Sequence, residues 1–264
     1  MVGNEILTGK IEDTNSRYLA KRLFELGIAL RQIVVCPDEM DIIVREVNQL
    51  RAAHDYVFTS GGVGPTHDDI TIDAVALAFG RRVVESPEIA AMIHQHFGAA
   101  VTPEHLRMAN MPEGAELVRN ARSIWPTVLC ENVFILPGVP QIFERKLDAL
   151  RERLDEGVRF FNQTVYTQCE EGEIAALLTE LTFAHPNVTI GSYLVLNDPT
   201  YSVRVTFDCV EAEASQAAAD AFAVALPLQP AFAGQSLFHQ ALVLTPLAGN
   251  PFGVAAQQLQ LERL

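Results

Sequence analysis

The chain has 264 residues, of which 49% are hydrophobic and 20% charged, and a formal net charge of −14. That length suits one large domain, or a medium and a small one, with enough apolar material for a sizeable core. The acidic balance argues against nonspecific nucleic-acid binding, which needs a basic footprint, and against docking on anionic lipid.

Gly3-Asn4-Glu5 reads as a loop at a strand end, with only Met1-Val2 before it. A parallel α/β sheet wants a full strand there, so the first strand is expected to be missing. Residues 14 to 26 carry Leu19, Leu23 and Leu26 at helical spacing, with Asp13 or Thr14 as the cap and Gly27 at the C′ position. Ile28 to Cys36 is rich in β-branched residues and reads as a strand. Ile43, Val47 and Leu50 mark the next helix, and Tyr56 to Thr59 a short buried strand. A glycine-rich loop follows, then a helix from about Ile70 to Phe79 that Gly80 stops. Val83-Val84 is extended, Pro87 opens a helix to Phe97, and Glu104 to Met108 is a shorter helix. Thr127–Cys130 and Val133–Leu136 read as a hairpin turning at Glu131-Asn132. A helix from Gln141 to about Leu154 comes after it. Strands alternating with amphipathic helices predict a parallel sheet covered on both faces.

Composition shifts near Gly157. The predicted organisation is a first domain over 1–157, a small two-layer α/β domain over 158–226, and a loosely packed tail over 227–264. Cys36, Cys130, Cys169 and Cys209 stand too far apart for a CxxC pair and read as buried thiols of a reducing compartment. No apolar run approaches the ~20 residues that span a bilayer, and no basic-then-apolar signal opens the chain. The expectation is a cytoplasmic protein with neither nucleic acid nor membrane as partner.

The chemistry concentrates in three loops. Ser60-Gly61-Gly62-Val63-Gly64-Pro65-Thr66-His67-Asp68-Asp69 lies between a buried strand and a helix, where open α/β sheets bind ligands. Its glycines let the backbone approach a ligand, the next helix offers N–H groups to an anion, and Thr66 adds a hydroxyl. A tight turn that merely caps a helix is the plainer alternative. The loop has neither the lysine of a P-loop nor GxGxxG spacing. Asp68 and Asp69 would repel a phosphate unless a cation lay between them, since unit charges ~4 Å apart interact by about 4 kcal/mol near a surface. A hard divalent cation such as Mg²⁺ resolves the conflict. Acids in a first helical turn also stabilise any helix, so one of the two is assigned to structure and the other, Asp69 first, to function. The second loop, Gly3-Asn4-Glu5 to Asp13-Thr14-Asn15, supplies a carboxylate, amides and a hydroxyl; Asp13 reads as a helix cap. The third, Pro137-Gly138-Val139-Pro140, is a stiff turn opening a helix.

Taken together and in order, these three segments resemble the N-terminal domain of the competence/damage-inducible protein A (CinA) family, part of the molybdopterin-binding MoaB/Mog superfamily. They also resemble the corresponding domain attached to eukaryotic FAD synthase. Glu171-Gly172-Glu173-Ile174 and Ile190-Gly191-Ser192-Tyr193 extend the likeness into the small module that follows, to about residue 225. Around Ser123-Ile124-Trp125-Pro126 the sequence departs from the family's small-residue stretch. The resemblance implies a doubly wound α/β/α sandwich with a second, smaller two-layer domain, and a homo-oligomer. It implies a metal-dependent pyrophosphatase acting on an ADP-ribose-like or FAD-like dinucleotide, with Mg²⁺, Mn²⁺ or Co²⁺ as cofactor. A molybdopterin-binding or adenylyl-transfer protein, and a non-catalytic nucleotide- or partner-binding module, are the alternatives. In every reading but a purely partner-binding one, the ligand is a phosphate-bearing small molecule. The expected ligand-binding residues are Gly3, Asn4, Glu5, Asn15, Ser60, Gly61, Gly62, Gly64, Pro65, Thr66, Gly138 and Pro140. Asp68 and Asp69 are the expected catalytic residues, and with Glu5 they would hold the metal.

Overall fold

A computed structural model describes residues 1–120, 123–154, 157, 160–196, 198–226, 242–246 and 254–258. The chain separates into two compact units, Met1–Gly157 and Val158–Leu264. No helix among the described residues is long and apolar enough to cross a membrane.

The first unit runs α1 (Asn4–Leu7), α2 (Thr14–Glu25), α3 (Met40–Ala53), β1 (Val57–Ser60), α4 (Thr71–Ala78), β2 (Val83–Glu85) and α5 (Pro87–Phe97). It continues α6 (Pro103–Arg107), β3 (Asn110–Pro112), β4 (Glu116–Asn120), β5 (Ser123–Cys130), β6 (Val133–Leu136) and α7 (Pro140–Leu150). The helix starts follow local chemistry. Asp13 caps α2 by accepting from the Ser16 N–H at 2.9 Å. Ser86 caps α5 ahead of Pro87, and Thr102 with His105 forms a capping box around Pro103.

The central sheet has the order β1-β6-β5-β4. Its β1–β6 pair is parallel, while β6–β5 and β5–β4 are antiparallel. The expectation of a parallel sheet is therefore corrected to a mixed one. The turn at Glu131-Asn132 is the reason, because strands joined by two residues can pair only antiparallel. Along β6 the side chains alternate. Val133 and Ile135 face a core built with α3, α4 and α5. Phe134 and Leu136 face a second core with Leu19 and Leu23 of α2 and Phe143, Leu147 and Leu150 of α7. Helices on both faces of one sheet make the doubly wound α/β/α sandwich.

The strand expected over Ile28–Cys36 is also corrected. Only Cys36 pairs, in a parallel bridge with Val2. The Cys36 N–H donates to Met1 O and the Val2 N–H to Ser60 O, each at 2.9 Å, so Met1-Val2 lies between Cys36 and the end of β1. A ladder needs a partner along its length, and two residues serve one end of this segment. A groove of about 800 Å³ separates the rest of it from β1, lined among others by Leu30, Tyr56 and Phe58.

The second unit contains β7 (Phe161–Thr167), α8 (Glu171–Ala184), β8 (Thr189–Leu194), β9 (Val203–Cys209), α9 (Ala212–Ala225), β10 (Leu242–Pro246) and β11 (Val254–Gln258). Its antiparallel sheet has the order β11-β10-β7-β9-β8. Val165, Val205 and Phe207 pack with Ile174 of α8 and Phe222 of α9, giving two layers. The tail expected to be loosely packed supplies β10 and β11, the former a β-favouring Leu-Val-Leu-Thr run paired to β7. The rest of the tail lies outside the described residues.

Candidate functional site

Parallel strands β1 and β6 end level with each other, with Ser60 opposite Leu136. Their following loops, Gly61–Ile70 and Pro137–Val139, therefore open side by side at the carboxyl edge of the sheet. The Gly61 N–H donates to Leu136 O at 3.2 Å. An added Cβ on Gly138 would lie 3.2 Å from the Gly61 Cα. Gly61 has φ 100° and Gly62 φ 65°. A side chain on Gly61 would overlap the Val2 carbonyl oxygen, and one on Gly62 the Thr71 hydroxyl, so only glycine fits either place. Thr71 fastens the turn to α4: its hydroxyl donates to Gly61 O at 2.8 Å and its N–H to Gly62 O at 2.9 Å. With both carbonyls turned to Thr71, an anion at this turn does not face them.

Asn15 ties the three sequence motifs together. It is 5% exposed. Its Nδ2 donates to Ser60 Oγ at 3.0 Å and to Gly138 O at 2.8 Å. Ser60 in turn donates to Pro137 O at 3.3 Å. Asn15 Oδ1 is buried with no hydrogen-bond partner. Asn15, Ser60, Gly61, Gly62 and Gly138 are thus gathered, with Asn15 and Ser60 as internal struts. Gly3 lies beside Cys36, to whose carbonyl its N–H donates at 3.1 Å. Glu5, half-buried in α1, folds its carboxylate back over Gly3, and the exposed Asn4 donates its N–H to Asp38 Oδ2 at 2.9 Å. Pro140 is the first residue of α7.

The two aspartates have separate roles. Asp69 turns inward: its Oδ2 accepts from the Thr66 N–H at 2.8 Å and from the Thr66 hydroxyl, and it abuts Gly64, where a Cβ would lie 2.6 Å from that oxygen. It closes the Pro65–Asp69 part of the loop. Asp68 is exposed beside His67. The nearness of the Thr66 side chain, and then of its own backbone N–H, favours the ionised form of Asp68 and holds its carboxyl below the usual range. Among the described residues no group of three or more His, Cys, Asp or Glu is arranged to hold a metal. Glu5, Asp68 and Asp69 as placed do not fit a preformed cation cage.

Next to the loop is a cavity of about 370 Å³ that Gly62, Gly64 and Asp69 help to line. Ile72, Ile89, Val128 and Ile135 give it apolar surface, and Phe97 and Trp125 aromatic surface. Arg107 lines it and donates from Nη1 to Thr66 O at 3.0 Å. Lys146 lines it too, and donates from Nζ to Pro126 O at 2.6 Å and Trp125 O at 3.2 Å. Burial pushes the Lys146 pKa down to about 8. Neither cation was among the expected site residues. Lys146 had a legible signal: it follows Phe143 by three and precedes Leu150 by four, so it is a lysine on an apolar helix face. Arg107 had none, since α6 is too short to show a period.

Residues 1–156 match the family described as "Probable molybdopterin binding domain". The chain belongs to this MoaB/Mog-type family. Residues 159–232 match "FAD synthase, middle domain". A "Probable FAD synthase" from Caenorhabditis briggsae is 34% identical over 244 residues, 82% of this chain and 47% of the relative. A "CinA-like protein" from Myxococcus xanthus is 32% identical over 72% of this chain and 49% of its own length. The chain spans about half the length of these curated relatives. Among solved structures, CinA from Thermoplasma acidophilum, described as of unknown function, has a TM-score of 0.53 at 33% identity, covering 58% of this chain and 93% of that one.

Proposed function

We propose that the first unit binds a dinucleotide of the FAD or ADP-ribose class, phosphates on the Gly61–Gly64 turn, and hydrolyses its pyrophosphate linkage in a divalent-cation-dependent reaction. The observation that supports it most is the continuity of the glycine turn with a largely apolar cavity carrying Arg107 and Lys146. A phosphate needs backbone donors and positive charge, and the rest of a nucleotide needs an apolar recess. The adjoining FAD synthase middle-domain match favours the dinucleotide class. In this reading the turn orients the phosphates, Arg107 and Lys146 supply charge, and Asn15 keeps the loops in register. Glu5, Asp68 and Asp69 as placed form no cage for Mg²⁺, Mn²⁺ or Co²⁺, so dependence on a cation is a question for the assay.

The test is AMP release from FAD and from ADP-ribose, with each cation and with chelator, alongside calorimetry of binding. Cation-dependent AMP release supports the whole reading. Binding without product retains the ligand class and rejects the hydrolase. The family description favours a second ligand, molybdopterin. Calorimetry of molybdopterin against ADP-ribose decides between them, and absence of binding by either overturns both.

A further inference from the structure

Trp125 is the single tryptophan of the chain. It is half-buried on the wall of the 370 Å³ cavity. Its neighbours are aromatic as well. The His96 ring meets it edge-on with centroids 6.0 Å apart, and His96 meets Phe97 edge-on at 4.7 Å. Phe97 is backed by the His105 ring, stacked at 4.1 Å and 17°. The Trp125 backbone is held in place, because the Lys146 ammonium is bonded to its carbonyl and to that of the buried Pro126. A large, flat side chain fixed at the backbone and walled by other rings suits a flat guest, since ring systems favour stacked or edge-on contact. Isoleucines, Val63, Met108 and Val128 supply further apolar surface, and the glycine turn opens on the same space.

We propose that Trp125 is a specificity-determining residue whose indole packs against the planar nitrogen heterocycle of the ligand, while the phosphate of that ligand rests on the Gly61–Gly64 turn. The inference rests on the proposed phosphate site and adds to it the part of the ligand that is selected. The class of guest is a fused, flat heteroaromatic ring joined to a phosphate through a sugar or sugar-like linker. Adenine, isoalloxazine and pterin rings share that chemistry.

The single tryptophan makes a site-specific reporter. AMP and FMN are to be compared with ribose 5-phosphate, which has the phosphate but no ring, by calorimetry for all three and by tryptophan fluorescence for AMP and ribose 5-phosphate. The expected result is that AMP changes the Trp125 emission and ribose 5-phosphate does not. Trp125→Ala should weaken AMP or FMN about tenfold or more, as loss of one base–aromatic stack does, and leave ribose 5-phosphate unchanged. Trp125→Phe keeps a ring and should retain most of the affinity, which guards against a folding defect in the alanine variant. Which of AMP and FMN binds more tightly identifies the ring. If the ring-bearing and ring-free ligands bind equally, or Trp125→Ala affects both alike, the indole contact is overturned while the phosphate site stands. If none of the three binds, the phosphate site itself fails and this inference with it.

Discussion

Replacing Lys146 with methionine is expected to change how stability depends on pH. The lysine lies on the inner face of α7, where its ammonium has the carbonyls of Trp125 and Pro126 as partners. Two neutral dipoles do not replace full hydration, so burial lowers the pKa from 10.5 to about 8. Below pH 8 the folded and unfolded chains both carry the proton, and the full cost of burying the charge is present. Between pH 8 and 10.5 the unfolded chain binds more protons, so stability rises with pH. Above 10.5 neither binds it and the cost is gone. At 1.36 kcal/mol per unit, the interval is worth about 3 kcal/mol, an order-of-magnitude figure. The assay is urea unfolding of both proteins from about pH 7 to 10.5, read as the difference in unfolding free energy. Taking the difference removes titrations common to both, including that of Tyr18, raised from 10.0 to about 12, whose effect on stability begins near pH 10. Wild type should gain on Lys146→Met by up to about 3 kcal/mol, with a slope approaching ~1.4 kcal/mol per pH unit. Loss of the two hydrogen bonds in the variant shifts its curve by a constant below pH 8 and leaves the rise above it intact. Parallel curves would refute the buried, depressed lysine.

Asn15→Ala leaves Ser60 Oγ and Gly138 O without their donor and should cost about 1–3 kcal/mol in urea unfolding, toward the lower end because the unpartnered Oδ1 leaves too. A loss under ~0.5 kcal/mol, the range of ordinary surface substitutions, would show that Asn15 does not tie the loops. Gly62→Ala and Gly80→Ala make a matched pair, since both glycines have positive φ, 65° and 62°, but only Gly62 would push a Cβ into Thr71. Each should lose ~1–2 kcal/mol for the left-handed backbone, and Gly62→Ala clearly more. Equal thermal shifts would remove Thr71 as the reason for glycine there.

What could be read from the sequence follows the reach of the forces involved. Short-range signals carried through. The leucines of α2, its aspartate cap and Gly27 fix one helix locally, and the buried run Val133–Leu136 with the turn before it fixes a hairpin. Features set by distant partners did not. Residues 28–35 have strand propensity, but among the described residues no strand pairs with them, and propensity alone makes no ladder. The strands β3 and β4 are short pieces stabilised by pairing with β2 and β5, which no local pattern announces. The glycine turn was legible because its positive φ values demand glycine whatever surrounds them. Asn15 stood out because no helix cap explained it, yet its role as a strut depends on Gly138, 123 positions away.

The acidic pair shows the same limit and alters the electrostatics of the site. From spacing alone, Asp68 and Asp69 both confront an incoming phosphate, and a cation is required between them. In the folded unit Asp69 is engaged by Thr66, and Asp68 points to solvent. The carboxylates lining the cavity are Asp69 and Asp73, and they are matched by Arg107 and Lys146 in the same lining. Below the Lys146 pKa these four charges cancel, so the net field opposing an anion is far weaker than the sequence alone suggests. On the proposed reading, backbone donors and the dipole of α4 then suffice to bring a phosphate to the turn. On the same reading, a divalent cation would therefore matter for turnover rather than for capture, since the electrostatic conflict that called for one at the turn is largely relieved by Arg107 and Lys146. If the proposed hydrolase reading holds, capture and turnover should separate: with chelator present the ligand still binds, and only product formation stops.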